Sequence, residues 1–225
     1  MSEGELGRST TEEAGREAAD RLVFFSDAVV AIALTLLAID LPVPSGSSAA
    51  DFRHSFSEDW KDYLAFGISF LVIFRHWTGH HRLFRYLTDA TGPLVRWNGL
   101  WLFAIVLTPF VTRVITGQNG DTSGSGFPYR FGLYALVQVI AGIGLLGSES
   151  VMRRHGLVAE GAPEDLLTAS EARSRSLTIA FALSVPLVIP LGEWAFAVWG
   201  IGPRIVDAGF RLAGRRREHR PRTAR

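Results

Sequence analysis

The chain has 225 residues, 48% of them apolar and 20% charged, with a formal net charge of +1 and no cysteine. Lack of cysteine removes disulfides, thiolate metal sites, iron–sulfur clusters and cysteine nucleophiles, and the small net charge gives no global attraction for nucleic acid. The apolar share is that of an ordinary soluble domain, but the charges gather at the two ends and in a few loops, leaving uncharged runs too long for a soluble globule.

Residues 1–20 are acidic, with Glu3, Glu5, Glu12, Glu13, Glu17 and Asp20 against Arg8 and Arg16. They have no basic region leading into a short apolar core, so they read as a disordered or loosely helical cytoplasmic lead and not as a cleaved signal peptide. A bilayer core needs about 20 mostly apolar helical residues. Leu22 to Leu41 meets that and is stopped by Pro42 and Pro44. Trp60 to Phe74 is the second run, continuing into the polar-aromatic stretch up to Leu87; Leu94 to Ile115 is the third. Phe131 to Leu146 is the fourth, with Gly142, Gly144 and Gly147 allowing close helix approach. Leu177 to Leu191, bent at Pro186 and Pro190, and Trp194 to Val206 form a final pair around Gly192 and Glu193.

Six spans with both termini inside place 19 of the 23 lysines and arginines on the cytoplasmic side, leaving Arg53, Lys61, Arg113 and Arg130 outside. That asymmetry is the expected signature of a multi-pass protein. The fold class is therefore all-α and integral to a bacterial inner (plasma) membrane, with a transmembrane domain over residues 21–208. The basic tail over 209–225 reads as a solvated, topology-fixing segment, with a contact to anionic headgroups as its other reading.

Asp27 lies inside the first span, where a charge is costly unless it is paired or faces protein or water. Helix polarity puts it at the height of His76, Trp77, His80 and His81, near the end of the second span, and of Arg96, Trp97 and Asn98, opening the third. Three chemistries fit this cluster. It is a structural lock between helices, a proton-titrating site using Asp27 and a histidine, or a metal site on His76 and His80 at i, i+4. No acid stands between those two histidines as the zinc-hydrolase pattern requires. Ile32, Thr35, Leu36 and Ile39 share one face of the first helix, and from spacing alone they read as packing or lipid-facing residues.

The pattern Arg21-x-x-x-Phe25-Ser26-Asp27-x-x-x-Ala31-Ile32-x-x-Thr35-Leu36 resembles the prokaryotic branch of the transmembrane-protein-175 family of potassium-permeable channels. Trp77-x-x-His80-His81-Arg82-Leu83-Phe84 extends the resemblance, as do Trp97-Asn98 and Leu107-x-Pro109-Phe110, so that it runs from Arg21 to about Phe110. It implies a homotetramer of six-span subunits whose first helices line a central pore for K+, with no further cofactor and no catalysis. It also implies that Ile32, Leu36 and Ile39 form hydrophobic rings with Thr35 as a polar layer. Arg21, Ser26 and Asp27 would be structural, bonded to His80 and Asn98, with Phe25 part of the same network. The chain has no Thr-Val-Gly-Tyr-Gly loop for carbonyl-cage selectivity. The rival reading is a proton-coupled transporter, or a proton-permeable channel, using Asp27 and His80; a membrane-embedded hydrolase ranks third, lacking a nucleophile–base–metal set.

Overall fold

The computed structural model describes residues 3–117 and 125–218. Among these it is helical: α1 (Glu3–Ile39), α2 (Ala49–Glu58), α3 (Trp60–Phe84), α4 (Gly92–Thr116), α5 (Phe127–His155), α6 (Leu166–Leu191) and α7 (Phe196–Glu218), with a 3-10 turn at Gly192–Ala195. One isolated antiparallel bridge, Leu87 with Val158, ties the α3–α4 loop to the α5–α6 loop.

Local sequence accounts for the boundaries. Pro93 and Pro128 sit in the first turns of α4 and α5, where a missing N–H costs nothing. Gly156 ends α5 with a left-handed φ of 62°, its N–H bonding back to Met152. Arg153, Arg154 and His155 in that last turn oppose the negative end of the helix dipole. Pro186 and Pro190 lie inside an α6 that stays helical from Leu166 to Leu191. No element was expected between Pro44 and Trp60, yet α2 forms there. Its signal is Ser48-Ala49-Ala50-Asp51, a reciprocal capping box in which each side chain accepts the other residue's backbone N–H.

Among the described residues, four helices are long and apolar enough to cross a membrane: Thr10–Ile39 within α1, and α4, α5 and α6. The two other expected spans differ in kind. α3 has 25 residues, about 37 Å at 1.5 Å per residue, but carries Lys61, Asp62, Arg75, His76, His80, His81 and Arg82. The apolar part of α7 is Phe196–Val206, and the helix then runs past residue 208 to Glu218. Residues 219–225 of the basic tail lie outside the described residues.

At the other end, α1 extends through residues 3–20, the helical of the two readings of the lead. This stretch contains no proline and is rich in Ala, Glu and Arg, which favour helix, and Glu17 and Arg21 pair one turn apart. It is also packed: Ala19 is buried, and a Cβ at Gly15 would stand 3.3 Å from the Thr88 carbonyl oxygen.

The core runs through α4, α5 and α6. Glycines set its closeness: a Cβ at Gly144 would lie 2.7 Å from the Trp101 backbone nitrogen, and one at Gly142 would collide with Thr178 of α6. Trp199 docks α7, with its ring 4.7 Å from both Phe131 and Tyr134 and its indole N–H donating to Ser184 Oγ at 2.9 Å.

Candidate functional site

One face of α1 is packed against α3 and α4, and the other is open. Val30, Ala33 and Leu37 are 1%, 1% and 5% exposed, whereas Ile32, Leu36 and Ile39 are 58%, 41% and 76% exposed. Thr35 and Phe25 lie on the open face with them. The Thr35 hydroxyl donates to the Ile32 carbonyl at 2.8 Å, which folds it back on its own helix. The four residues singled out for a pore therefore form one exposed stripe.

The packed face carries Ser26, which opens a directional chain of hydrogen bonds. Its Oγ donates to the Leu22 carbonyl at 2.7 Å. A carbonyl can only accept, so Ser26 Oγ takes its other bond, at 2.9 Å, from Asn98 Nδ2. That turns Asn98 Oδ1 toward His80 Nε2 at 2.8 Å, and the histidine proton must then sit on Nε2. The His80 ring is sandwiched between Trp101 (centroids 4.1 Å apart, planes within 4°) and Phe84 (3.8 Å). Ser26, His80 and Asn98 are all buried. The chain joins α1, α4 and α3 through neutral groups.

Asp27 stands beside this chain and has other partners. The Trp77 indole N–H donates to its Oδ1 at 2.8 Å, and His81 Nδ1 lies 3.5 Å from its Oδ2. Asp27 and His80, the pair of the proton-pathway reading, are not bonded to each other. The Arg21 guanidinium lies on Glu17 at 2.5 Å, and neither His80 nor Asn98 takes it. His76 and His80, one turn apart on α3, serve different surroundings: His80 faces Asn98, while His76 lines a cleft shared with α5 and α6. Trp97 packs where a Cβ at Gly147 would collide with its ring.

Two polar features escaped the sequence reading. Between α3, α4 and α5, Thr112 Oγ1 bonds Ser69 Oγ at 2.8 Å, Ser69 Oγ lies 3.1 Å from Tyr134 Oη, and Gln138 Nε2 donates to Thr108 Oγ1 at 3.2 Å. The i, i+4 pairs Thr108/Thr112 and Tyr134/Gln138 were its available signal. Glu149, fully buried on α5, accepts from Ser170 Oγ at 2.6 Å and Ser174 Oγ at 2.9 Å, both on α6.

A family model described as endosomal/lysosomal potassium channel TMEM175 matches residues 21–109, which cover α1's apolar part, α3 and most of α4. A Streptomyces collinus protein named as a potassium channel is 36% identical over 119 residues, 53% of this chain and 57% of that one. A Chamaesiphon minutus potassium channel is 36% identical over 97 residues, 42% and 48% of the two chains. The chain thus matches about half the length of these curated relatives. The crystal structure of a lysosomal potassium-selective channel TMEM175 homolog from Chamaesiphon minutus superposes with a TM-score of 0.66, covering 87% of this chain and 97% of that one at 23% identity. That likeness extends the shared fold beyond the conserved segment. Over residues 21–109, about two fifths of its length, the chain is therefore similar to the TMEM175 family.

Proposed function

We propose that this protein is a subunit of a potassium-permeable leak channel, a homotetramer of multi-pass subunits in a bacterial inner membrane with both termini cytoplasmic. In this reading the open face of α1 lines the pore, Ile32 forms its narrowest ring, Leu36 and Ile39 form further rings, and Thr35 adds a polar layer. The observation that carries it is the asymmetry of α1: Ser26, Val30, Ala33 and Leu37 are buried within the subunit, while Ile32, Leu36 and Ile39 stay largely exposed. Four copies of that stripe around an axis would supply each ring with four isoleucines or leucines. A narrow apolar ring conducts only when wetted, so it acts as a gate. The Ser26–Asn98–His80 chain and the Asp27–Trp77 bond fix how α1 is rotated on α3 and α4, and so which residues face the axis.

Recording from the purified protein in planar bilayers under a potassium gradient tests the reading. Ile32→Asn nearly preserves side-chain size while offering water a hydrogen-bonding wall. It should raise the current at least several-fold and weaken discrimination between K+ and Na+, whereas Ile32→Leu, equal in volume and apolar, should change little. Normally assembled Ile32→Asn channels with unaltered conductance and selectivity would remove Ile32 from the constriction.

A further inference from the structure

A cleft of about 320 Å³ opens at the end of the bundle where α3 and α5 finish and α6 begins. Three helices frame it with regular stripes: Arg75, Thr78, Gly79 and Arg82 on α3, Ser170, Arg173, Ser174 and Leu177 on α6, and Gly142 and Leu145 on α5. These are i, i+3, i+4 and i+7 spacings, so each helix turns one face to the opening.

Its charges are unbalanced. Arg75, Arg82 and Arg173 form no hydrogen bond or ion pair with the described residues, whereas nearby Arg153 is paired with Glu171. His76 lines the cleft while 97% buried, and neither ring nitrogen has a partner. Of the carboxylates close by, Glu171 is taken by Arg153, and Glu149 has no exposed surface and accepts from the hydroxyls of Ser170 and Ser174. Phe74, Leu145 and Leu177 form an apolar wall, and Gly79 leaves the opening clear, since a Cβ there meets nothing within 4 Å.

We propose that this cleft binds the phosphate of an anionic phospholipid, with the guanidiniums of Arg75, Arg82 and Arg173 as donors and an acyl chain along the apolar wall. Guanidinium forks match phosphate oxygens two at a time, and basic clefts between membrane helices near the cytoplasmic face suit such headgroups. An apolar wall continuous with the charged rim favours a lipid over a free anion. The site lies away from the open face of α1 and its assignment does not depend on what α1 conducts.

Native mass spectrometry of the detergent-purified protein, with equal concentrations of phosphatidylglycerol or phosphatidylcholine, tests this. Wild type should retain the anionic lipid in preference to the zwitterionic one. Arg75→Gln with Arg173→Gln should cut that preference about 25-fold, at about fivefold per arginine, while Arg154→Gln, an exposed arginine outside the cleft, should leave it unchanged. Gly79→Leu fills the opening without altering charge, so it should abolish the preference even where the double variant fails to fold. An unchanged preference in Gly79→Leu overturns the site. Inorganic phosphate that binds and displaces the lipid headgroup from wild type makes the occupant a free anion and overturns the lipid assignment.

Discussion

The two ends of the α1–α3–α4 unit are held by different chemistry. At one end, Ser26, Asn98 and His80 form a buried chain of neutral hydrogen bonds beside the Asp27–Trp77 pair. At the other, Arg113 reaches Asp40 across an exposed ion pair, the Tyr63 hydroxyl donates to the Pro42 carbonyl at 2.8 Å, and a capping box starts α2. Buried neutral bonds feel neither salt nor moderate pH but punish the loss of a partner. Exposed charged ones are individually weak and follow the solution. If α1 rotates or tilts during function, the second end is the one that can yield.

The sharpest break is Asn98→Ala. Asn98 alone touches both neighbours, so its loss orphans the His80 N–H in a stacked aromatic slot and strips Ser26 of its donor. An orphaned buried group costs about 1–3 kcal/mol, although interhelical bonds in a bilayer average nearer to about 0.6 kcal/mol. We expect a loss of about 2 kcal/mol in detergent unfolding, independent of salt. Ser26→Ala in the Asn98→Ala background should add almost nothing, since the pair acts as one unit. Additive losses would mean that the chain is not connected as drawn.

Asp27→Ala comes next. The Trp77 indole loses its acceptor, and a bond to a carboxylate is worth about 1.5–3 kcal/mol when desolvated; Asp27 is partly exposed, which puts the expected loss near the bottom of that range. Yield and assembly, followed by size-exclusion chromatography, should fall before ion selectivity moves. A normally assembled variant that loses only the pH dependence of its current would instead favour the proton-titrating reading of Asp27.

This end of the molecule was largely legible in the sequence, and the reason is physical. Polar side chains in an apolar run are expensive, so Ser26, Asp27, His80 and Asn98 stood out, and helix polarity brought them to one height. What spacing could not give was pairing: Asp27 meets Trp77 and not His80, because χ angles decide among neighbours at equal depth. The other end was less legible. α2 is short and polar, with no buried residue, so neither periodicity nor hydropathy marked it. For the lead, acidic composition left disorder and loose helix both open, because it says nothing of the surface that the α3–α4 loop offers at Gly15. The hydroxyl chain of Ser69, Thr112 and Tyr134 was hidden for the opposite reason, since hydroxyls are too mild to interrupt an apolar run.

At the exposed end, Arg113→Gln removes the ion pair with Asp40. Both side chains reach solvent, at 67% and 33% exposure, so the pair contributes about 0–1 kcal/mol. The difference from wild type should shrink toward nothing as salt is raised, because exposed charges are screened over a few ångströms at molar ionic strength. Asn98→Ala measured alongside should show the same loss at every salt concentration. A salt-independent penalty for Arg113→Gln would erase the contrast between the two ends.

The smallest effect belongs to the α2 cap. The Ser48 hydroxyl and then its backbone N–H, both directed at the Asp51 carboxylate, hold that group below its ordinary value of 3.8. A carboxylate whose pKa is lowered by folding contributes stability that is fully present above its unfolded value and lost as pH falls through the lowered folded one. From neutrality down to about pH 4 the cap should therefore be constant, and only stronger acid should release it. Hydrogen–deuterium exchange, corrected for intrinsic rates, should then show the first-turn amides of α2 losing protection in wild type below that point. In Asp51→Ala the Ser48 amide should be unprotected throughout, because its acceptor is gone. Amides around Asn98 should keep their protection across the same range, since no link in the Ser26–Asn98 pair titrates. Loss of protection at both ends together on acidification would show that the two ends open as one unit and that the cap is not an independent latch.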